Sequence, residues 1–172
     1  AQRELGRAES ADLIHRTLQA HPKMFGMAIA LSEAAAARHD FQILYGYRDG
    51  ESIAVGDRAS PLRDYQHDWF YLPYHLKTPV WIEPYYDADA RVLMVTYSVP
   101  VMRGDEVLAV VTCDLTLDEI QTLLDGLTLA EGGMAVLLSR RGTFIAYPDR
   151  SLIMRETIFS LAESQADPEL AR

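Results

Sequence analysis

Two runs dense in Val, Leu, Met, Thr and Tyr, residues 91–102 and 106–115, face each other across Arg103-Gly104-Asp105. β-Branched and aromatic side chains fit a pleated, half-buried surface, and the glycine allows a tight reversal. The spacing therefore predicts an antiparallel hairpin. A lone hairpin is marginal in water, so further strands must extend it and helices must cover it. Residues 41–47 supply one such strand signal: Phe41, Ile43, Tyr45 and Tyr47 alternate against Gln42 and Gly46, and Asp49-Gly50 turns the chain into residues 52–55. Residues 24–31 form a short apolar run after Pro22, fit for a covered strand, and Ala34 to Ala37 favour a helical turn.

Helices bracket these strands. Residues 1–20 are rich in Ala, Leu, Glu, Arg and Gln, with Ile14 and Leu18 four apart, which predicts a helix ending before Pro22. Its narrow apolar stripe suits a helix that leans on the domain or on a partner helix. Thr116-Leu117-Asp118-Glu119 reads as a capping box opening a helix to about Leu124, with Leu117, Ile120, Leu123 and Leu124 on one face. Gly132-Gly133 marks a boundary. Residues 134–138 and 143–147 form a second hairpin around Arg141-Gly142, closed by Pro148; residues 151–164 read as helix and 166–172 as a tail. The class is α+β.

From Gly56 to Pro79 the alternation stops, and Pro61, Pro73 and Pro79 punctuate a loop with short helical pieces around Leu62 to Phe70. A loop this long inside a compact domain usually has a job, because ordering it costs entropy that has to be recovered through packing or a ligand. It leads into an aromatic, acidic stretch containing Trp69, Trp81, Tyr85, Tyr86 and Asp87, while Asp114 stands at the end of the hairpin's second strand. Two carboxylates near tyrosine faces favour an ammonium group through charge-assisted hydrogen bonds and cation–π attraction. The alternative for Asp114 is a carboxylate placed for the dipole of the following helix, and for each aromatic it is core packing.

Composition narrows the function. The chain has 172 residues, 49% of them hydrophobic, which gives room for one ordinary domain or two small ones. A net charge of -9 without a basic cluster argues against a nucleic-acid partner. The single cysteine, Cys113, permits no internal disulfide and reads as a strand residue, its acidic neighbour being the wrong one for a reactive thiolate. No apolar run reaches the roughly 18 residues that span a bilayer, and the first residues do not read as a signal peptide. A soluble piece of a membrane protein fits both observations. His67-Asp68 has no nucleophile placed beside it by a recognisable motif, and P-loop, dinucleotide-binding, nucleophile-elbow, HExxH and EF-hand patterns are all missing. The expectation is a binding module, not an enzyme, with no cofactor and no metal.

With Trp69-Phe70, residues 81–87 (WIEPYYD), 96–101 (TYSVPV), 110–115 (VVTCDL) and 142–149 (GTFIAYPD) in view, the sequence resembles a Cache (PDC-like) extracytoplasmic sensor domain. The likeness is to the double-Cache type that stands in front of bacterial sensor kinases, SpoIIE-type phosphatases, cyclases and chemoreceptors. It implies a long N-terminal helix (1–22), a membrane-distal module with a PAS-like antiparallel sheet flanked by helices (23–130), and the beginning of a second, incomplete module (131–172). Transmembrane helices outside this chain would flank it, a homodimer would form through the N-terminal helix, and the output domain would lie in the cytoplasm.

Amino-acid-binding members of that family hold a carboxylate with an aromatic and arginine group, and an ammonium with a tyrosine and two aspartates. Here Trp69, Phe70, Tyr85, Asp87 and Asp114 stand at similar spacings, His67 occupies the arginine position and Leu62 the first tyrosine position. The ligand set that follows is His67, Trp69, Phe70, Trp81, Tyr85, Asp87, Tyr97 and Asp114, with Arg63 or Lys77 as substitutes for the carboxylate clamp. The ligand would be small and polar, an amine or amino-acid-like molecule, closing the aromatic loop over the sheet and biasing the N-terminal helix between two arrangements. The alternative is a ligandless dimerisation or partner-binding module whose aromatics pack at an interface.

Overall fold

The computed structural model describes residues 6–59, 61–88, 90–127 and 133–165, which gather into two compact units. The first takes in the described residues up to 82 together with 96–115; the second takes in 83–95 and the described residues from 116 on. The sequence-derived boundary near residue 130, including Gly132, and the tail 166–172 lie outside the described residues.

In the first unit, helix α1 spans Arg7–Ala20, and the Glu9 carboxylate accepts from the Gly6 amide at 3.2 Å to satisfy one free N–H of its first turn. Ile14 and Leu18 are fully buried. The helix stops before Pro22, where the sequence places its end. Its last carbonyls are met by Arg48, whose Nη2 donates to Leu18 O at 2.5 Å and His21 O at 3.1 Å while Nε donates to Met24 O at 2.8 Å. A cation at this end complements the helix dipole.

Strand β1 (Gly26–Leu31) is buried throughout. Short helix α2 (Glu33–Ala36) follows, capped by Ser32 Oγ, which accepts from the Ala35 amide at 3.3 Å. Strands β2 (Ile43–Asp49) and β3 (Ser52–Asp57) form the hairpin predicted at Asp49-Gly50, with Gly50 at φ +60° and Asp49 opposite Ser52. The period-two pattern of residues 41–47 predicted one polar face on β2. The structure buries Leu44 and Gly46 as well as Ile43 and Tyr45, because both faces of this strand are covered.

Residues 56–79 are less loop-like than the prolines suggested. Helix α3 (Pro61–Asp64) starts on its proline, where a missing N–H costs nothing, and helix α4 runs Asp68–Leu76 straight through the buried Pro73, ending on Lys77 at φ 55°. Strand β4 (Val80–Trp81) follows; β6 (Val92–Arg103) and β7 (Glu106–Thr116) are the hairpin predicted first, turning at Gly104 with φ +59°. The strand order is β3-β2-β1-β7-β6-β4. On one face Ile14 and Leu18 of α1 pack with Met27, Ile29, Leu31, Leu44 and Ala109; on the other Phe70 of α4 packs with Ala30, Ile43 and Val110. These two sets alternate along β1, β2 and β7, as a sheet covered on both sides requires.

In the second unit, strand β5 (Tyr85–Asp87) pairs antiparallel with the first residues of β6. Helix α5 (Leu117–Asp125) opens on Thr116, whose Oγ1 accepts from the Glu119 amide at 3.1 Å, as the capping pattern predicts. Leu117 and Ile120 are buried, but Leu123 is 39% exposed and lies outside the buried stripe. Buried Gln121 accepts from the Tyr147 amide at 2.9 Å, tying α5 to the end of the hairpin β8 (Leu137–Leu138) and β9 (Phe144–Ala146). The helix predicted over 151–164 is broken: a 3-10 turn at Arg150–Leu152 and Met154 at φ 62° precede α6 (Ile158–Gln165). Thr157 Oγ1 accepts from the Ser160 amide at 3.0 Å and restarts the helix there.

Candidate ligand site

Asp114 sits near the end of β7, 3% exposed, and its Oδ1 accepts from Thr96 Oγ1 of β6 at 2.8 Å. Opposite it on β1 is Gly26, and the reason for glycine there is space. A β-carbon on Gly26 would come within 2.5 Å of Tyr45 Oη and 2.8 Å of Asp114 Oδ2. Tyr45 of β2 and Asp114 of β7 thus both lean over a position that only a hydrogen-sized side chain leaves open.

The neighbouring polar groups belong to the same face. Thr112, two residues before Asp114 on β7, accepts the Ala28 amide on its Oγ1 at 2.9 Å, taking over a main-chain donor of β1. Ser98, two residues beyond Thr96 on β6, is 0% exposed, and its Oγ has no hydrogen-bond partner among the described residues. Buried hydroxyls normally find partners, so this one marks a place where a further polar group can be received. Next to Asp114 but on the opposite face, Cys113 has its thiol pKa raised, first by burial and then by the Asp114 charge.

Of the residues the sequence nominated, the structure brings Phe70 to the face of Asp114. It stands over Val110, four residues along β7 and so about 13 Å away. Trp69 packs against the Phe70 cluster with its ring edge-on at 6.0 Å. His67 is the exposed residue ahead of α4, and its side chain makes no capping hydrogen bond. Tyr97 lies between Thr96 and Ser98 on β6 and so projects from the other face of the sheet. Trp81 stands directly opposite Tyr97, its ring 4.9 Å away and 52% exposed, and shares that face. Neither is brought to Asp114. Tyr85 and Asp87 lie on β5 in the second unit, where Asp87 Oδ1 accepts from the Ala90 amide at 2.8 Å.

The two substitute clamps also find places: Arg63 is exposed on α3, and Lys77 Nζ donates to Asp105 O at 2.6 Å. The groups that sequence reasoning missed are Tyr45, Thr96 and Ser98, together with Arg58, whose guanidinium lies 5.4 Å above the Tyr45 ring. Among the described residues no group of three His, Cys, Asp or Glu could hold a metal ion, and no helix is long and apolar enough to cross a membrane.

Residues 11–122 match the sequence family described as methyl-accepting chemotaxis protein-like, first PDC sensor domain. Over 119 residues, 67% of this chain and 19% of the relative, the sequence is 25% identical to methyl-accepting chemotaxis protein PscA of Pseudomonas syringae pv. tomato. Among solved structures, the extracellular domain of the proposed histidine kinase mmHK1S-Z3 superposes with a TM-score of 0.79 at 18% identity, covering 96% of this chain and 64% of that one. Methyl-accepting chemotaxis protein X superposes with a TM-score of 0.78 at 23% identity, covering 97% and 66%. The ligand-binding domain of the Pseudomonas fluorescens chemoreceptor CtaA, in complex with L-isoleucine, gives 0.63 at 19% identity, covering 91% and 58%. The chain spans less than two thirds of these solved relatives and about a fifth of the curated one.

Proposed function

The chain belongs to the methyl-accepting chemotaxis protein-like family of first PDC sensor domains, and on that premise we propose that it is the sensing part of a membrane-anchored signalling protein, displayed outside the cytoplasm, whose ligand is a small amine. The observation that carries the ligand class is Asp114. A carboxylate almost sealed from water and oriented by Thr96 is poised for a cation, because charge-assisted hydrogen bonds strengthen as water is excluded. The ligand of the CtaA complex, L-isoleucine, carries an ammonium group of the kind such a carboxylate recognises. The domain itself acts by binding; the output it drives belongs to the remainder of the protein.

Isothermal titration of the purified domain with n-butylamine, ethanolamine, putrescine and L-isoleucine tests this reading. Asp114→Asn keeps the side chain's shape and removes its charge. A hydrogen bond to a charged group contributes about 1.5–3 kcal/mol, so affinity is expected to fall roughly 10- to 100-fold. Binding that is unchanged in Asp114→Asn, or the absence of binding by every amine tried, refutes it.

Pairing through α1 is part of the same proposal. The outward residues of α1 include Asp12, His15, Arg16 and Gln19, all polar, so a pair held by them would be weak and salt-sensitive in sedimentation. A second reading rests on the exposed Trp81 and its neighbour Tyr97, since aromatic side chains are enriched at protein interfaces. On that reading, a ligandless dimerisation or partner-binding module, Trp81→Ser would lower the association state and no amine would bind the wild-type domain.

A further inference from the structure

Arg58 and Asp64 form a buried ion pair in the first unit. Arg58 Nη2 meets Asp64 Oδ1 at 3.0 Å and Nε meets Oδ2 at 3.2 Å, with the side chains 16% and 5% exposed. Both prongs of the guanidinium fork are thus engaged by one carboxylate, the geometry that would otherwise receive a carboxylate from outside. The same guanidinium lies 5.4 Å above the Tyr45 ring, within cation–π range, and the Tyr45 hydroxyl, like the Asp114 carboxylate, lies over Gly26. One aromatic side chain therefore carries a guanidinium on its face, while its hydroxyl and the Asp114 carboxylate both crowd Gly26. The backbone holds this arrangement in place: Arg58 N donates to Ile43 O of β2 at 3.0 Å, and Tyr65, next to Asp64, donates from its hydroxyl to Leu31 O of β1 at 2.9 Å.

We propose that Asp64 is a specificity-determining residue: by filling the fork of Arg58 it acts as a built-in carboxylate, so that the site selects amines and discriminates against the same molecules bearing a carboxylate. This rests on the reading of Asp114 as the ammonium anchor. An incoming carboxylate would have to displace an internal one held at high effective concentration, and the displaced Asp64 would be left buried and uncompensated. Without the Asp64 charge the fork loses the carboxylate that fills it.

The test compares wild type, Asp64→Asn, and the double variant Arg58→Met with Asp64→Leu, which removes both charges and keeps apolar volume. The probes are formate and acetate at matched chloride and ionic strength, followed by thermal shift, and the pair n-butylamine and 4-aminobutyrate, which differ by a terminal carboxylate, followed by calorimetry. Asp64→Asn should acquire a saturable stabilisation by formate that wild type and the double variant lack. Its affinity ratio of 4-aminobutyrate to n-butylamine should rise by at least about tenfold, the factor that one charge-assisted hydrogen bond supplies. Loss of stability in Asp64→Asn with no gain for formate, acetate or 4-aminobutyrate would show Asp64 to be a structural pin only and overturn the proposal. If Asp64→Asn does not fold unaided, refolding in formate but not in chloride supports the proposal, and failure in both overturns it. Failure of n-butylamine to bind wild type counts against the amine reading of Asp114, a separate measurement from formate binding to Asp64→Asn.

Discussion

Gly26 of β1 and Gly46 of β2 offer a matched test of the idea that the two faces of this sheet do different work. A β-carbon on Gly26 would meet Tyr45 Oη at 2.5 Å, Asp114 Oδ2 at 2.8 Å and Tyr45 Cε2 at 3.0 Å. One on Gly46 would overlap Ile14 Cγ2 of α1 and approach Val55 Cγ2 at 3.1 Å. Neither glycine has a positive φ, so alanine strains neither backbone, and the whole effect is steric. In each case the groups that must yield are short or stiff and buried, so relief requires moving a ring, a carboxylate or a helix. Overpacking of this kind costs about 1–3 kcal/mol, offset by roughly 0.5–1 kcal/mol for removing glycine's extra freedom in the unfolded chain. The net of about 0–2.5 kcal/mol, centred near 1, corresponds to a fall in Tm of up to roughly 10 °C for a chain of this size.

Stability should therefore drop to a similar degree in Gly26→Ala and Gly46→Ala, and ligand binding should separate them. Gly26→Ala pushes both the Tyr45 hydroxyl and the Asp114 carboxylate off the added methyl, and amine affinity should fall by about tenfold or more, the cost of misplacing the one charge-assisted contact proposed for the ligand. Gly46→Ala pushes Ile14 away from β2 on the opposite face, where neither the Tyr45 hydroxyl nor Asp114 has to yield, and should leave affinity within about twofold of wild type. Urea denaturation followed by circular dichroism reads the first quantity and calorimetry with n-butylamine the second. Equal loss of affinity in both variants, or wild-type affinity in Gly26→Ala, would refute the division of labour between the faces.

Two further predictions concern α1 and alkaline pH. Arg48→Met removes the donors to Leu18 O, His21 O and Met24 O, and should cost about 2 kcal/mol while speeding amide exchange in the last turn of α1 before any other helix; uniform exchange would refute the clamp. The Cys113 thiol is held above its ordinary range by burial and by Asp114, and the Tyr65 hydroxyl by burial and then by Glu33 and Asp64. Both groups favour the folded state in protonated form, so their contribution is complete below the unfolded values and is lost as pH rises through the folded ones. Urea midpoints should hold to about pH 8, fall through the thiol range near 8.5 and fall again beyond about 10, with Cys113→Ser removing the first step. Midpoints that stay level or rise between pH 8 and 10 contradict this.

The sequence made α1 and the two hairpins legible because each is punctuated locally: Pro22 after the helix, Gly50 and Gly104 in the turns, dense β-branched residues between. Asp114 was legible for the same reason, an acid at the end of an apolar strand. Helix α4 was hidden because Pro73 argues against helix from local propensity, while burial of Phe70 and Pro73 against the sheet decides the matter. The faces of β6 were hidden by register. Counting back from the two-residue turn at Gly104-Asp105 would put Tyr97 on the face of Asp114, yet the hydrogen bond from Thr96 puts Thr96 there, and one residue of shift exchanges every side chain between faces. Tyr45 and Arg58 were beyond reach because their place beside Asp114 depends on the pairing of β1 with β7, which is far away in sequence.

That pairing also limits how a small ligand can act. Asp114 and Gly26 lie on one face of strands whose other face seats Ile14 and Leu18 of α1, so on the proposed reading a rearrangement of β1 or β2 on binding would be felt by the helix. Moving a two-state element from 1:99 to 99:1 takes about 5.5 kcal/mol of differential binding, whereas one ammonium held by one carboxylate supplies about 1.5–3 kcal/mol. An amine recognised through Asp114 alone therefore could not overturn a strongly seated α1. On that reading, either further contacts are made in one state only, with the Ser98 hydroxyl, which has no partner among the described residues, as one group able to make them, or α1 rests close to balance. The second case makes Arg48 the residue that sets the balance, since its three carbonyl contacts are the polar tether of the helix terminus to β2. Weakening that tether should then change the ligand concentration at which the helix responds, and leave the chemistry of recognition at Asp114 as it is.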